Sequence, residues 1–192
     1  MIKHLWTSIR MLVLLGILTV VVYAAVVTGI SQLLFPYQAN GSLVHYHGRV
    51  IGSKLIGQSF TSPKFFDGRP SAAGYNAAAS TASNYGPTNP ALIKEVQANM
   101  AYILKTNPGV KPSQVPVDLV ESSDSGLDPD ISVAAAYFQA PRVARLNGLP
   151  LSSVRHLVAT HTVGRFLGMY GNSYVNVLEI NLALLHLIHH RS

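Results

Sequence analysis

Residues 11–35 read MLVLLGILTVVVYAAVVTGISQLLF, twenty-five positions without one charged side chain. As a helix rising about 1.5 Å per residue, the run reaches roughly 37 Å, more than a hydrocarbon core of ~30 Å. Trp6 lies near one end, and Phe35 and Tyr37 near the other, where aromatic rings favour the membrane–water boundary. Pro36 is a natural stop. The rival reading is a cleavable signal peptide with Val22-Tyr23-Ala24 as its cleavage site. The apolar run continues for ten residues past Ala24, longer than such segments need. The sequence therefore predicts an uncleaved membrane anchor over 11–35.

Orientation follows from charge. Lys3, His4, Arg10 and the amino terminus precede the span with no acid to offset them. The positive-inside rule then holds residues 1–10 in the cytoplasm. Residues 36–192 become an extracytoplasmic domain, on the outer side of the cell (inner) membrane. Ala25 and Gly29, four apart and flanked by Ala24 and Thr28, offer a face on which another membrane helix can pack closely. Small residues are also common in such spans, so spacing alone leaves chance open.

The chain has 192 residues, fourteen Lys and Arg against eight Asp and Glu, and no cysteine. Disulfides, thiolate metal sites and cysteine nucleophiles are excluded. No basic run of the kind that binds nucleic acid occurs. From Pro36 onward, twelve basic residues face eight acidic ones, a balance that does not attract cations overall.

Beyond the span, Leu43 to Tyr46 and Arg49 to Ile51 flank His47-Gly48 and predict a hairpin. Residues 61–90, TSPKFFDGRPSAAGYNAAASTASNYGPTNP, carry no apolar period and form a loop far longer than usual. Asn89-Pro90 predicts a capped helix start. Its stripe is Leu92, Val96, Met100, Ile103 and Leu104, and Asn107-Pro108-Gly109 ends it. Val115 to Val120 reads as a strand. A helix is expected from about Pro129 to Gln139, another from Pro141, and a fourth capped by Ser152 or Ser153. Tyr174 to Ile180 reads as a last strand, and Leu182 to Ile188 as a terminal helix. The expectation is a single transmembrane helix followed by a mixed α+β domain.

Chemical motifs are sparse. GSKLIGQS at 52–59 approaches a phosphate-binding loop, but Gln58 stands where the lysine belongs and Pro63 spoils the helix that should follow. No GxSxG or HExxH occurs. His186 and His190, four apart, could share a metal; with Arg191 they more simply complement a helix C-terminus. ESSDSGLDPDIS at 121–132 holds four of the eight acids. It does not follow the calcium-loop pattern. Asp128 before Pro129 reads as a helix N-cap, with Asp130 in the first turn.

SDSGLDPDIS at 123–132 and QAPRVAR at 139–145 together resemble the signature of the KdpC family, one of the component chains of the Kdp potassium-transporting P-type ATPases. GSKLIGQSF at 52–60, GRPSAAGYN at 68–76, SNYGPTNPAL at 83–92 and VNVLEINLAL at 175–184 follow the same pattern in the same order. The sequence departs at Asp130, where the family usually has His or Asn, at Val163, often Glu, and at Thr81 or Ala82, often Gly. The resemblance implies a non-catalytic accessory subunit of a high-affinity potassium importer, with no catalytic or metal-binding residues of its own. Its implied partners are a channel-like potassium-translocating subunit, an ATP-hydrolysing P-type subunit and a small single-span subunit. The chain itself has no DKTG and no TVGYG. The family is described as a catalytic chaperone that raises the pump's ATP affinity, so ATP is implied through the ATP-hydrolysing partner. If nucleotide is touched directly, Ser125, Gly126, Asp128 and Gln139 are the family-based candidates. That requires the domain to be inside, against the orientation derived above, and an indirect effect through assembly or the potassium entrance is favoured. Asn84, Gly86, Pro87 and Asn89 are the candidates for partner contact. The alternative is a membrane-tethered exported enzyme or solute-binding domain using the loop at 61–90.

Overall fold

A computed structural model of the protein describes residues 2–189. The chain divides into two compact units, one ending at Ile51 and one running from Gly52 onward.

In the first unit, α1 (Ile2–Gly16) and α2 (Tyr23–Leu34) are joined by a π-helical stretch, Ile17–Val22. Within it, the Thr19 hydroxyl donates to the carbonyl of Leu15 at 2.7 Å, a side-chain bond that competes with the helical ladder. Lys3–Leu34 forms one helix long and apolar enough to cross a membrane, and its most apolar stretch is entirely unburied. Phe35 breaks the helix at φ −135°, and Pro36 opens the short α3 (Pro36–Ala39). The hairpin forms as expected, from β1 (Leu43–Tyr46) and β2 (Arg49–Ser53). His47 and Gly48 at its turn both take positive φ.

The second unit is mixed helix and sheet. Residues 61–89 contain neither helix nor strand. The helix after them, α4 (Pro90–Thr106), starts where its cap predicts: the Asn89 side chain accepts from the Ala91 N–H at 2.9 Å. Next come two short 3-10 turns, then β3 (Asp130–Ser132), α5 (Val133–Leu146), α6 (Leu151–Thr160), β4 (Thr162–Val163), β5 (Tyr174–Asn176) and α7 (Val177–His189). The sheet order is β3-β5-β4, all antiparallel, with Ile131 opposite Val175. Helices α5, α6 and α7 close over it around Ile131, Ala135, Ala136, Ala140, Val158, Val175 and Ile180, all at most 2% exposed.

Five expectations are corrected. Asp128 does not cap a helix. The chain is extended from Asp130 to Ser132, because Ile131 buries itself by pairing with β5, and Ser132 caps α5 by accepting from Ala135 N–H at 3.0 Å. Pro141 does not begin a helix; it lies inside α5. Its face is exposed, so the carbonyl it leaves unpaired can reach water, while Gln139, Ala140, Arg142 and Val143 hold the helix down by burial. Val115–Val120 is not a strand: Val117–Leu119 is a 3-10 turn after Pro116, with Leu119 and Val120 buried and Val117 exposed. The last strand stops at Asn176, whose side chain accepts from Glu179 N–H at 3.2 Å, so α7 starts at Val177, not Leu182. α6 starts after Pro150 without the expected serine side-chain cap. His190 and Arg191, invoked for the C-terminal helix end, lie outside the described residues.

Candidate functional site

The acidic segment is the point around which the long loop is wound. Its backbone carbonyls are acceptors: Leu127 O takes the Gly57 N–H at 2.7 Å, and Ser125 O takes the Thr81 N–H at 3.1 Å and the Ser80 hydroxyl at 2.9 Å. The Ser71 hydroxyl donates to Gly126 O. Gly126 has φ +66°, and a Cβ there would stand 2.6 Å from Thr81 O and 2.9 Å from Ala73 Cβ. A Cβ on Gly57 would stand 2.5 Å from Asp128 O. Both glycines are required by close backbone approach.

Two of the segment's four carboxylates are engaged too. Asp128 Oδ1 accepts from the Asp130 N–H at 3.0 Å, an Asx turn, and Asp128 Oδ2 pairs with Arg69 at 3.2 Å. Asp130 Oδ1 accepts from Asn176 Nδ2 at 2.8 Å. Burial raises the Asp130 carboxyl above its ordinary range; the Asn176 hydrogen bond opposes this, Asp128 and Glu179 add to it, and Lys54 pulls the other way.

Of the sequence-predicted residues, Ser125 and Asp128 line one groove of about 540 Å³ with Arg69, Ser80 and Asp124, and Gly126 sits between them in the chain. Asn84 and Pro87 line a neighbouring groove of about 370 Å³ with Tyr85, Leu92 and Glu121; the two share Ser123 and Asp124. Gly86 is exposed, its carbonyl accepting the Asn89 N–H at 2.9 Å, and Asn89 caps α4. Gln139 is elsewhere: it lines neither groove and is fully buried. Ala25 and Gly29 are exposed on α2, with nothing within 4 Å of a Cβ built on Gly29.

Gln139 belongs to a buried network that sequence reading did not assemble. Its Oε1 accepts the Asp67 N–H at 2.8 Å and its Nε2 donates to the Asp67 carbonyl at 3.1 Å. Asn181 on α7 does the same for Phe66, at 2.8 and 2.9 Å. Two side-chain amides thus replace a sheet edge for two consecutive residues of the long loop. Arg142, 2% exposed, pairs with the Asp67 carboxylate at 2.8 Å and donates to Gln139 Oε1 at 2.6 Å. Burial raises the Asp67 carboxyl, opposed by Arg142 and by the Tyr102 hydroxyl. The signals available in sequence were polar residues on apolar faces: Gln139 and Arg142 three apart on α5, and Asn181 inside VLEINLALL. Asp67, Tyr75 and Tyr102 edge a cleft of about 360 Å³. Burial first, and then the Asp67 charge, push both tyrosine hydroxyls up. Among the described residues no three His, Asp or Glu side chains converge as metal ligands.

Comparison with known proteins matches the sequence to a family. The profile described as "KdpC: K+-transporting ATPase, c chain" covers residues 5–186. The chain is 53% identical to the potassium-transporting ATPase KdpC subunit of Caldanaerobacter subterraneus subsp. tengcongensis, over 91% of this chain and 88% of that one. It is 51% identical to the KdpC subunit of Methylococcus capsulatus, over 96% and 98%. The KdpC subunit of Polaromonas naphthalenivorans is 54% identical, over 88% of each chain.

Proposed function

The chain belongs to the KdpC family, the c chain of the K+-transporting ATPase, and from that premise we propose that it serves as a non-catalytic, membrane-anchored accessory subunit that assembles the pump. The observation that carries the proposal is the helix Lys3–Leu34, whose most apolar stretch has no buried side chain. At about 1.5 Å per residue it reaches roughly 48 Å, so lipid and neighbouring helices must cover it. Its proposed partners are the channel-like potassium-translocating subunit, the ATP-hydrolysing P-type subunit and the small single-span subunit. Ala25 and Gly29 are the proposed packing face, and the groove beside Asn84, Gly86, Pro87 and Asn89 is the proposed place of contact with a partner. The amino terminus lies in the cytoplasm and the α+β domain outside.

Any rise in ATP affinity is then an indirect effect of assembly. The groove at Ser125 and Asp128 supports this. Asp124 and Asp128 line it, and among the described residues its one guanidinium, Arg69, is already paired with Asp128. A triphosphate there would meet like charge. Gln139 is saturated by the Asp67 backbone and Arg142.

Two measurements test the proposal. The chain has no cysteine, so a single Ser152→Cys can be labelled on intact cells with a membrane-impermeant maleimide. Labelling is expected from outside; labelling only after lysis refutes the orientation. In the purified complex, omission of the chain is expected to raise the KM for ATP, while Ser125→Ala with Asp124→Asn leaves it unchanged. A rise in that double variant equal to omission refutes indirect action.

A further inference from the structure

The turn between β4 and β5 is built unlike the rest of the domain. Phe166 and Tyr170 face each other in an isolated antiparallel bridge, exchanging N–H···O bonds of 2.9 and 3.0 Å. The residues at its tip are apolar and project into solvent: Phe166 is 72% exposed, Leu167 72%, Met169 71% and Tyr170 65%. A soluble loop tip is ordinarily polar.

Leu167 carries a second signal. Its φ is +52°, and Gly168 beside it has φ +74°. Consecutive left-handed positions at a hairpin tip are normally filled by Asn-Gly or Asp-Gly. A leucine there is strained by its Cβ, and its side chain is left 72% exposed.

Two more features specify the surface it meets. Charge is one: from Ile131 to Leu178 there is no Asp or Glu, while Arg145, Arg155 and Arg165 are all exposed, Arg165 directly before the tip. Backbone satisfaction is the other. The N–H groups of Phe166, Gly168, Met169 and Tyr170 are all bonded within the turn, which lowers the cost of entering an apolar phase. The same chain carries a membrane span, which holds the domain at high local concentration near a bilayer.

We propose that the 163–174 hairpin is a membrane-contact loop that seats Phe166, Leu167, Met169 and Tyr170 at the headgroup–acyl boundary of an anionic phospholipid bilayer, with Arg165 on the phosphates. Shallow insertion of this kind reaches about 5–10 Å below the headgroups. The proposal rests on the anchored reading of Lys3–Leu34, and the experiment separates the two.

The native chain has one tryptophan, Trp6, at the end of the span. The full chain is incorporated in nanodiscs of phosphatidylcholine alone, or of equal parts phosphatidylcholine and phosphatidylglycerol, with and without brominated acyl chains. Trp6 fluorescence in the wild type reports the anchor. Trp6→Phe with Phe166→Trp reports the tip. The tip indole is expected to shift to the blue and be quenched by brominated lipid, more strongly with phosphatidylglycerol. Arg165→Gln is expected to lower its membrane partition by about fivefold, the effect of one basic residue at an anionic surface. Leu167→Asn relieves the turn and should preserve the fold by circular dichroism while lowering quenching; a merely structural leucine would not do this. Water-like, unquenched tip emission beside a quenched Trp6 overturns the proposal and leaves the anchor intact. An unquenched Trp6 overturns both. Shielding of the tip without bromine quenching, appearing only when the other pump subunits are present, overturns it in favour of a protein contact.

Discussion

Arg142→Met tests the buried network most directly. The guanidinium is 2% exposed and donates to Asp67 Oδ2, Gln139 Oε1 and the Pro63 carbonyl. Methionine fills most of the volume but leaves all three acceptors without that donor. Removing one partner of a buried ion pair costs about 3–5 kcal/mol, which in a domain of this size lowers Tm by roughly 10 °C. Asp67→Asn alone is expected to cost a comparable amount, because it strands the guanidinium. The double variant should cost much less than the sum, a coupling of at least about 2 kcal/mol. The assay is thermal unfolding of the full chain in mild detergent, followed by tyrosine near-UV circular dichroism. Additive single losses would refute the reasoning, since they would mean that the two groups do not hold each other.

The same variant makes a signed pH prediction. Burial raises the Asp67 carboxyl and Arg142 opposes the rise; without Arg142 it climbs further. A carboxyl whose folded pKa lies above its unfolded one binds its proton more tightly when folded. Its stabilising contribution is complete below the ordinary value of 3.8 and is lost as pH rises through the raised one. Arg142→Met should therefore regain stability on acidification from neutrality, and Arg142→Met with Asp67→Asn should not. A deficit that deepens on acidification would contradict the assignment.

Three further outcomes follow from the geometry. Gly126→Ala should lower the urea midpoint by more than Gly109→Ala: both have positive φ, but only Gly126 lacks room for a Cβ, whereas Gly109 has open space. Ser132→Ala should cost about 1 kcal/mol as the loss of the α5 cap, measured by the same transition. Asp130→Asn keeps an oxygen for Asn176 Nδ2 while removing a carboxyl raised by burial and by Asp128 and Glu179. Stability should then fall less than in the wild type as pH rises from 3.8 through that raised value, read as unfolding midpoint against pH.

Local features were legible in the sequence and distant ones were not. The apolar span, the hairpin around His47-Gly48 and α4 with its Asn89 cap are each specified within a few adjacent residues. β3 was hidden because three residues with Asp at the first position extend only when β5 pairs with them, some forty residues later. Asp128-Pro129 and Ser132 are both plausible caps, and only the burial of Ile131 decides between them. Pro141 reads as a helix start unless one knows which face is exposed. The network around Asp67 spans separations of 72 to Gln139 and 75 to Arg142, and Phe66 is 115 from Asn181. A period can flag Gln139, Arg142 and Asn181 as polar intrusions on apolar helices, but no period can say that Phe66 and Asp67 receive them.

Those long bonds explain how thirty residues without regular structure stay ordered. Fixing each backbone costs about 1–2 kcal/mol, and residues 61–90 have no ladder to offset it. Among the described residues their polar anchors come chiefly from two sources, with Tyr102 on α4 adding a hydroxyl to Asp67 Oδ1 at 3.5 Å. Helices α5 and α7 supply Gln139 and Asn181, with Asn147 Nδ2 donating to Lys64 O at 2.8 Å. The acidic turn supplies the carbonyls of Ser125 and Gly126 and the Asp128 carboxylate that holds Arg69. The family-marked residues Ser125, Gly126, Asp128 and Gln139 are therefore all points at which the long loop is fastened, although they occupy two separate places. Substitutions at Gly126, Asp128 and Gln139 will loosen the loop whatever else they do, whereas Ser125→Ala keeps the carbonyl that Thr81 and Ser80 bond. A change in pump affinity for ATP after altering one of them identifies a nucleotide contact only if the loop is shown to remain fastened, by unchanged amide exchange at Phe66, Asp67 and Thr81.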